Sequence, residues 1–255
     1  MKFNINDALN VRYIKLHFTL CFPEDCILPV SKASAIRGGM GEMLLRANCI
    51  RNRECEVCDF QGECIVQRTM YSRFDNKPDF IITGDSVGYV VECEDYREVF
   101  KRGDTLKFNL LLFGKTIVYF NQYFQALYAL GQNGIGRSHA KFLIVQVKNT
   151  KGQAILEDSN IYMKYYQVET LQNYVDYRMK QIEQRGYPDK MVFCTPLTQK
   201  FHGEFLEEFC MEAINKSIQR RLYMLNCFEN NDIQEFYYEE LPIPMIIQQS
   251  VREIK

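Results

Sequence analysis

Between Val11 and Phe22 the side chains alternate strictly. Ile14, Leu16, Phe18, Leu20 and Phe22 fall on one side, and Tyr13, Lys15, His17, Thr19 and Cys21 on the other. A period of two sends these sets to opposite faces of a pleated strand. One face is wholly apolar and needs a cover. The second offers a phenol, an ammonium and an imidazole to solvent or to a ligand. A cover follows directly: past Pro29, Ile36, Met40, Met43, Leu44 and Ala47 recur at helical spacing between Lys32 and Cys49, with Ser31 or Ser34 placed to cap the start. Gly38, Gly39 and Gly41 interrupt that helix, each costing about 1 kcal/mol relative to alanine. They imply close backbone approach, to a packed strand or to a bound phosphate chain.

Further along, Phe80–Thr83, Val87–Cys93 and Leu106–Leu112 are predicted strands, with turns at Gly84 and Gly103. Lys115–Leu130 is a predicted helix striped by Phe120, Tyr123, Phe124, Leu127 and Leu130 and ended by Gly131. A glycine loop then leads into a strand over Lys141–Val147. The order is that of a ferredoxin-like split βαβ unit, α+β in class and βαββαβ in sequence, occupying 1–150 with a four-cysteine insertion at 48–66. Residues 151–188 read as a polar connector with a helix over Glu169–Gln184. Residues 189–255 read as the start of a second ferredoxin-like unit, with a strand over Met191–Leu197 and a helix over Glu204–Asn226 that turns Phe205, Phe209, Ile214, Ile218, Leu222 and Leu225 inward. This second unit is incomplete: degenerate, truncated, or finished by another molecule.

Charge is unevenly placed beneath a net of −1. Thr105 to Leu156 contains no acidic residue but carries Lys107, Lys115, Arg137, Lys141, Lys148 and Lys151, a segment suited to a polyanion. Leu222 to Val251 is the reverse, with Glu229, Asp232, Glu235, Glu239 and Glu240 and no cation, and reads as a solvated acidic loop. No apolar run is long enough to span a bilayer, and the N-terminal residues lack the apolar core of a secretory signal. The expected compartment is the cytoplasm.

In that setting cysteines are thiols or metal ligands rather than disulfides. Cys49-x5-Cys55-x2-Cys58-x5-Cys64 has the donor set of a tetrahedral zinc site, within a polar segment that little else would order. An iron–sulfur cluster and four independent thiols are the alternatives. Four sulfurs leave a zinc no open position, so its role would be structural and no catalytic metal is expected. Cys21, Cys26, Cys93, Cys194, Cys210 and Cys227 read as small buried hydrophobes.

Arg37-Gly-Gly-Met-Gly-Glu-Met-Leu-Leu45, the four cysteines, Leu111-Leu-Phe-Gly114, Ala126-Leu-Tyr-Ala-Leu-Gly131, Gly134-Ile-Gly-Arg137, Cys194-Thr-Pro-Leu197 and Arg220-Arg-Leu222 occur in this order. Together they resemble the CRISPR-associated endoribonucleases of the RAMP superfamily that process precursor repeat RNA, over roughly 11–147 and 191–226. The resemblance implies paired ferredoxin-like units and binding of CRISPR repeat RNA or crRNA. It also implies metal-independent cleavage by the ribose 2′-OH, leaving a 2′,3′-cyclic phosphate. The partners it implies are this RNA and either other CRISPR effector subunits or a second copy, with no membrane. A C-terminal glycine-rich segment is also implied, and the sequence stops at Lys255 before one. Either the activity belongs to a longer protein, or the chain binds guide RNA without cutting. A zinc-stabilised protein-interaction module is the reading from a different class.

Cleavage of this kind needs a base, an acid and a cation on the phosphorane. His139, beside the glycine loop, is the first candidate base, ahead of His17 and His202. Lys32 and Arg37, at the start of the first helix, are candidates for phosphate orientation, protonation of the leaving group and charge stabilisation. For RNA binding the candidates are Tyr13 as a stacking ring, Lys15, Arg37, Arg46, Arg51, Arg53, Lys115, Arg137 and Lys141 as cations, and Gly38, Gly39, Gly134 and Gly136 as exposed main chain.

Overall fold

The computed structural model describes residues 7–71, 74–75, 78, 87–194, 197–231, 238–242, 246, 248 and 250. The predicted strand at Phe80–Thr83 and its turn at Gly84 lie outside them. The elements are β1 (Arg12–Cys21), β2 (Cys26–Ile27), α1 (Lys32–Asn48), α2 (Ile65–Thr69), β3 (Tyr89–Glu92), β4 (Val99–Phe100), β5 (Thr105–Phe113), α3 (Phe120–Asn133), β6 (Leu143–Lys148), β7 (Ala154–Glu157), β8 (Asn160–Ile161), β9 (Glu169–Thr170), α4 (Leu171–Arg185), β10 (Lys200–Phe201), β11 (Glu204–Phe205) and α5 (Met211–Glu229).

The main sheet is antiparallel and runs β3-β5-β1-β6-β7-β8, with β9 paired to the first residues of β1. The alternation read in the sequence sets its layers. Ile14, Leu16, Phe18 and Leu20 of β1, with Leu106, Phe108, Leu110 and Leu112 of β5, face a core closed by Ile36, Met40, Met43 and Leu44 of α1 and Tyr123, Leu127 and Leu130 of α3. Burial of each such side chain contributes about 1.5–3 kcal/mol. α1 and α3 touch at Gly39, where a Cβ would lie 2.6 Å from a methyl of Leu130, and Gly41 leaves room for Met70 in the same way. Helix-on-helix packing therefore accounts for these two glycines.

β6 joins β1 through a bulge. Cys21 and Leu20 stand opposite Leu143 and Ile144, but Thr19, Phe18 and His17 stand opposite Gln146, Val147 and Lys148. Val145 is the extra residue, and half-exposed beyond the core.

Four local expectations need correction. Gly131 does not end α3. The helix runs on to Asn133, and Gly134 (φ +88°) receives the turn, its N–H donating to the Leu130 carbonyl at 2.7 Å. Gly131 instead lets the Phe142 main chain approach, and Phe142 N–H donates to its carbonyl at 3.1 Å. The first part of the predicted helix, from Lys115, falls in a 3₁₀ turn over Gly114–Tyr119 held by Thr116, whose hydroxyl accepts from Phe113 N–H at 3.1 Å. Met191–Cys194 forms no strand, because these residues are exposed and join no sheet among the described residues. α5 starts at Met211 rather than 204, because His202 and Gly203, both at positive φ, form a two-residue turn between β10 and β11. Phe205, on the hairpin, consequently faces solvent; on α5 Ile218 is also exposed, while Leu222 and Leu225 are buried.

α5 lies on the second face of the main sheet. Met224, Leu225 and Phe228 pack there on Val11, Tyr13, Val87 and Phe113. Glu229 departs from the acidic-loop expectation: its side chain is 2% exposed and accepts from the backbone N–H of Arg12 at 3.0 Å and from the Arg12 guanidinium. Asp232 and Glu235 lie outside the described residues. No described helix is long and apolar enough to cross a membrane.

Candidate nucleic-acid interface

The half of the second sheet face not taken by α5 is polar, and one row crosses four strands. Glu92 of β3 is opposite Asn109 of β5, Asn109 is opposite His17 of β1, and His17 is opposite Lys148 of β6. Cross-strand partners share a face, with Cβ atoms about 5 Å apart. The side chains are joined. Lys15 Nζ donates to Glu92 Oε2 at 2.7 Å, Asn109 Nδ2 donates to the same oxygen at 3.0 Å, and Asn109 Oδ1 meets His17 Nδ1 at 2.7 Å. The neighbouring row holds Lys107, Thr19 and Gln146. His17 was the second-ranked histidine in the sequence. Its partners were not legible, because they depend on register between distant strands.

The glycine loop after α3 is a tight hairpin. Ile135 and Ala140 pair across it, and His139 N–H donates to the Gly136 carbonyl at 3.2 Å. Gly134 and Gly136 take positive φ, as does His139. The turn requires the first glycine, since a Cβ there would overlap the His139 carbonyl. Ser138 Oγ donates to the Ile27 carbonyl at 2.5 Å, fixing the loop beside the approach to α1. Arg137, His139 and Lys141 are exposed on it. Neither cation has a carboxylate partner among the described residues.

The other sequence candidates are distributed. Lys32 is 1% exposed, its amine donating to the Pro29 carbonyl at 3.3 Å and lying over the Phe100 ring. Burial pulls its pKa below the ordinary lysine value, against the opposing pull of Asp95, Cys93 and Glu98. Arg37 Nε donates to the Tyr89 hydroxyl at 3.1 Å. Lys32, Arg37 and His139 therefore occupy a buried helix start, a tyrosine contact and a loop tip, and no hydrogen bond joins any two of them. Tyr13 is 5% exposed, with its ring against Phe113 and its hydroxyl donating to Glu169 at 3.0 Å. Arg46 and Arg53 both bind Glu42, whose carboxyl they hold below its usual pKa, with the Arg53 hydrogen bond the larger cause. Arg51 pairs with Asp59 and Lys115 with Asp75. Gly38 is exposed, and a Cβ there would meet nothing.

Cys49, Cys55, Cys58 and Cys64 line one cavity of about 280 Å³ at the end of α1. Arg53 N–H donates to Cys49 Sγ at 3.2 Å. The donor set and the shared cavity fit a sulfur-bound metal. Among the described residues, however, no three Cys, His, Asp or Glu side chains converge on an ion-sized point. Elsewhere Cys93 is buried as expected, but Cys194 is exposed.

Fold and site together define a mixed α/β protein with an antiparallel sheet, α1 and α3 on one face, and a second face half covered by α5 and otherwise polar. The AF_1859_N family model, described as an N-terminal domain, matches residues 9–173, and the chain belongs to this family. No curated protein matches the sequence. Among solved structures the chain is similar to one titled "Crystal structure of Csm3-Csm4 subcomplex in the type III-A CRISPR-Cas interference complex", with 12% identity, a TM-score of 0.37, and coverage of 68% of this chain and 97% of that chain.

Proposed function

We propose that this chain is a RAMP-type protein of a CRISPR system that works in the cytoplasm and binds repeat RNA. One observation carries the reading. The acid-free segment from Thr105 to Leu156 is folded so that Lys107, Arg137 and Lys141 are exposed, and among the described residues none is neutralised by a carboxylate. Free cations beside main chain opened by Gly134 and Gly136 suit a phosphate backbone. The β3-β5-β1-β6 order, with α1 and α3 on one side, supports the ferredoxin-like assignment.

The activity that goes with this reading is metal-independent cleavage of precursor repeat RNA by 2′-OH attack. A second reading, guide-RNA binding without cleavage, is favoured by the burial of Lys32, whose amine is engaged by the Pro29 carbonyl. Incubating the protein with its own repeat RNA in EDTA separates them. A discrete cut ending in a cyclic phosphate supports the nuclease, a salt-sensitive shift without a cut supports the binder, and no shift refutes both. The four thiols are proposed to hold a structural zinc that draws them together, ordering the 49–64 segment without taking part in the chemistry.

A further inference from the structure

We propose that His17 is the general base for RNA cleavage, oriented through Asn109 by Glu92. This inference rests on the RNA reading above and assigns its chemistry to the open sheet face rather than to His139.

The hydrogen-bond chain sets the state of the imidazole. The Glu92 carboxylate only accepts, so it receives the amide N–H of Asn109 and fixes which way that amide points. Asn109 Oδ1 is thereby turned to His17 Nδ1 at 2.7 Å, and an oxygen there requires Nδ1 to carry the hydrogen. Neutral His17 is left with a bare Nε2, the nitrogen able to take a proton. The logic is that of a base held in one tautomer by a third group. Lys15, tied to Glu92 at 2.7 Å, offsets the carboxylate charge that a phosphate would otherwise meet. The charged groups facing His17 are then Glu92 from β3, Lys15 from its own strand and Lys148 directly across on β6, with Lys107 of β5 in the next row. Cations thus flank the imidazole, as an incoming phosphodiester requires. α5 stops short, covering the Tyr13 end of the same face.

With an RNA strand laid over this row, the 2′-OH gives its proton to Nε2 as the 2′-oxygen bonds to phosphorus. The P–O5′ bond breaks with its electron pair on O5′, which takes a proton from water. The resulting hydroxide recovers the proton from His17. Products are a 2′,3′-cyclic phosphate and a 5′-hydroxyl, with no other reactant consumed.

The test uses the full chain, 5′-labelled single-stranded repeat RNA and EDTA. His17→Ala is expected to slow cleavage about 100-fold or more, the usual range for loss of a positioned base, with RNA affinity within about twofold. Asn109→Ala should lower the rate with RNA affinity kept, and should let the Nε2–H tautomer of His17 appear in the ¹⁵N spectrum. In ¹⁵N-histidine-labelled protein, His17 should show a protonated Nδ1 and a bare Nε2 irrespective of activity. Cleavage by His17→Ala at the wild-type rate, or the opposite tautomer, overturns the assignment. Wild-type protein that binds RNA without cutting overturns it too but leaves the RNA-binding reading standing, whereas absence of binding removes both.

Discussion

Glu229, the last residue of α5, accepts from both the backbone N–H and the guanidinium of Arg12, the first residue of β1. The carboxylate is almost wholly buried and Arg12 is 61% exposed, so the bond fastens the far helix to the sheet at the edge of solvent. Glu229→Ala should destabilise the protein by about 1–3 kcal/mol, the range for lost hydrogen bonds to a charged group. Urea denaturation checks it. An unchanged midpoint would mean that α5 is held by Met224, Leu225 and Phe228 alone.

Gly134→Ala should cost about 1–2 kcal/mol from the left-handed backbone alone, with further loss from overlap with His139. It should also weaken RNA binding by displacing Arg137 and Lys141. Gly38→Ala, with open space around it, should be neutral or slightly stabilising through helix propensity. Thermal unfolding of the two variants gives the contrast.

The double variant Arg137→Ala, Lys141→Ala should reduce the slope of log affinity against log salt by about 1.4, two single-strand phosphate contacts at about 0.7 each. Affinity should converge with wild type at high salt. Equal slopes would show that these cations face no phosphate.

Lys32 has a pH signature. Burial as an ammonium lowers its pKa in the folded state, so at neutral pH the charge costs stability. Between the lowered folded value and the unfolded value near 10.5, the unfolded chain binds the extra proton and stability rises with pH. Lys32→Met should raise the unfolding temperature at neutral pH and abolish that rise, with the advantage shrinking as pH approaches 10.5. A destabilised variant with an unchanged pH profile would sink this account.

For the cysteine segment, purified protein should carry about one zinc per chain by elemental analysis. A strong chelator or Cys58→Ser should lower thermal stability and expose 49–64 to protease. Metal-free protein of unchanged stability would leave four free thiols.

Where the sequence was legible, a single physical pattern ran unbroken through a whole element. The alternation of Ile14, Leu16, Phe18 and Leu20 was readable as β1, and the stripe of Phe120, Tyr123, Leu127 and Leu130 as α3. In the C-terminal third, local turn geometry overrode periodicity: Phe205 lies on a hairpin set by His202 and Gly203 rather than on a helix. The candidate site was harder still. His17 was visible as a polar residue on a half-buried strand, but Asn109 and Glu92 become its neighbours only through strand pairing across 92 and 17 positions of sequence. The glycines carried two meanings at once, and only the packing of α3 separates Gly39, under Leu130, from Gly38, open to solvent.

Val145, the residue set out of step where β6 meets β1, decides by simple counting which side of a wall each neighbour inhabits. Were it drawn into the ladder opposite Thr19, parity beyond it would invert: Gln146 would be driven into the oily interior opposite Phe18, Val147 would surface next to His17, and Lys148 would leave the row. By standing outside the pairing, one supernumerary amino acid thus leaves an ammonium in line with an imidazole.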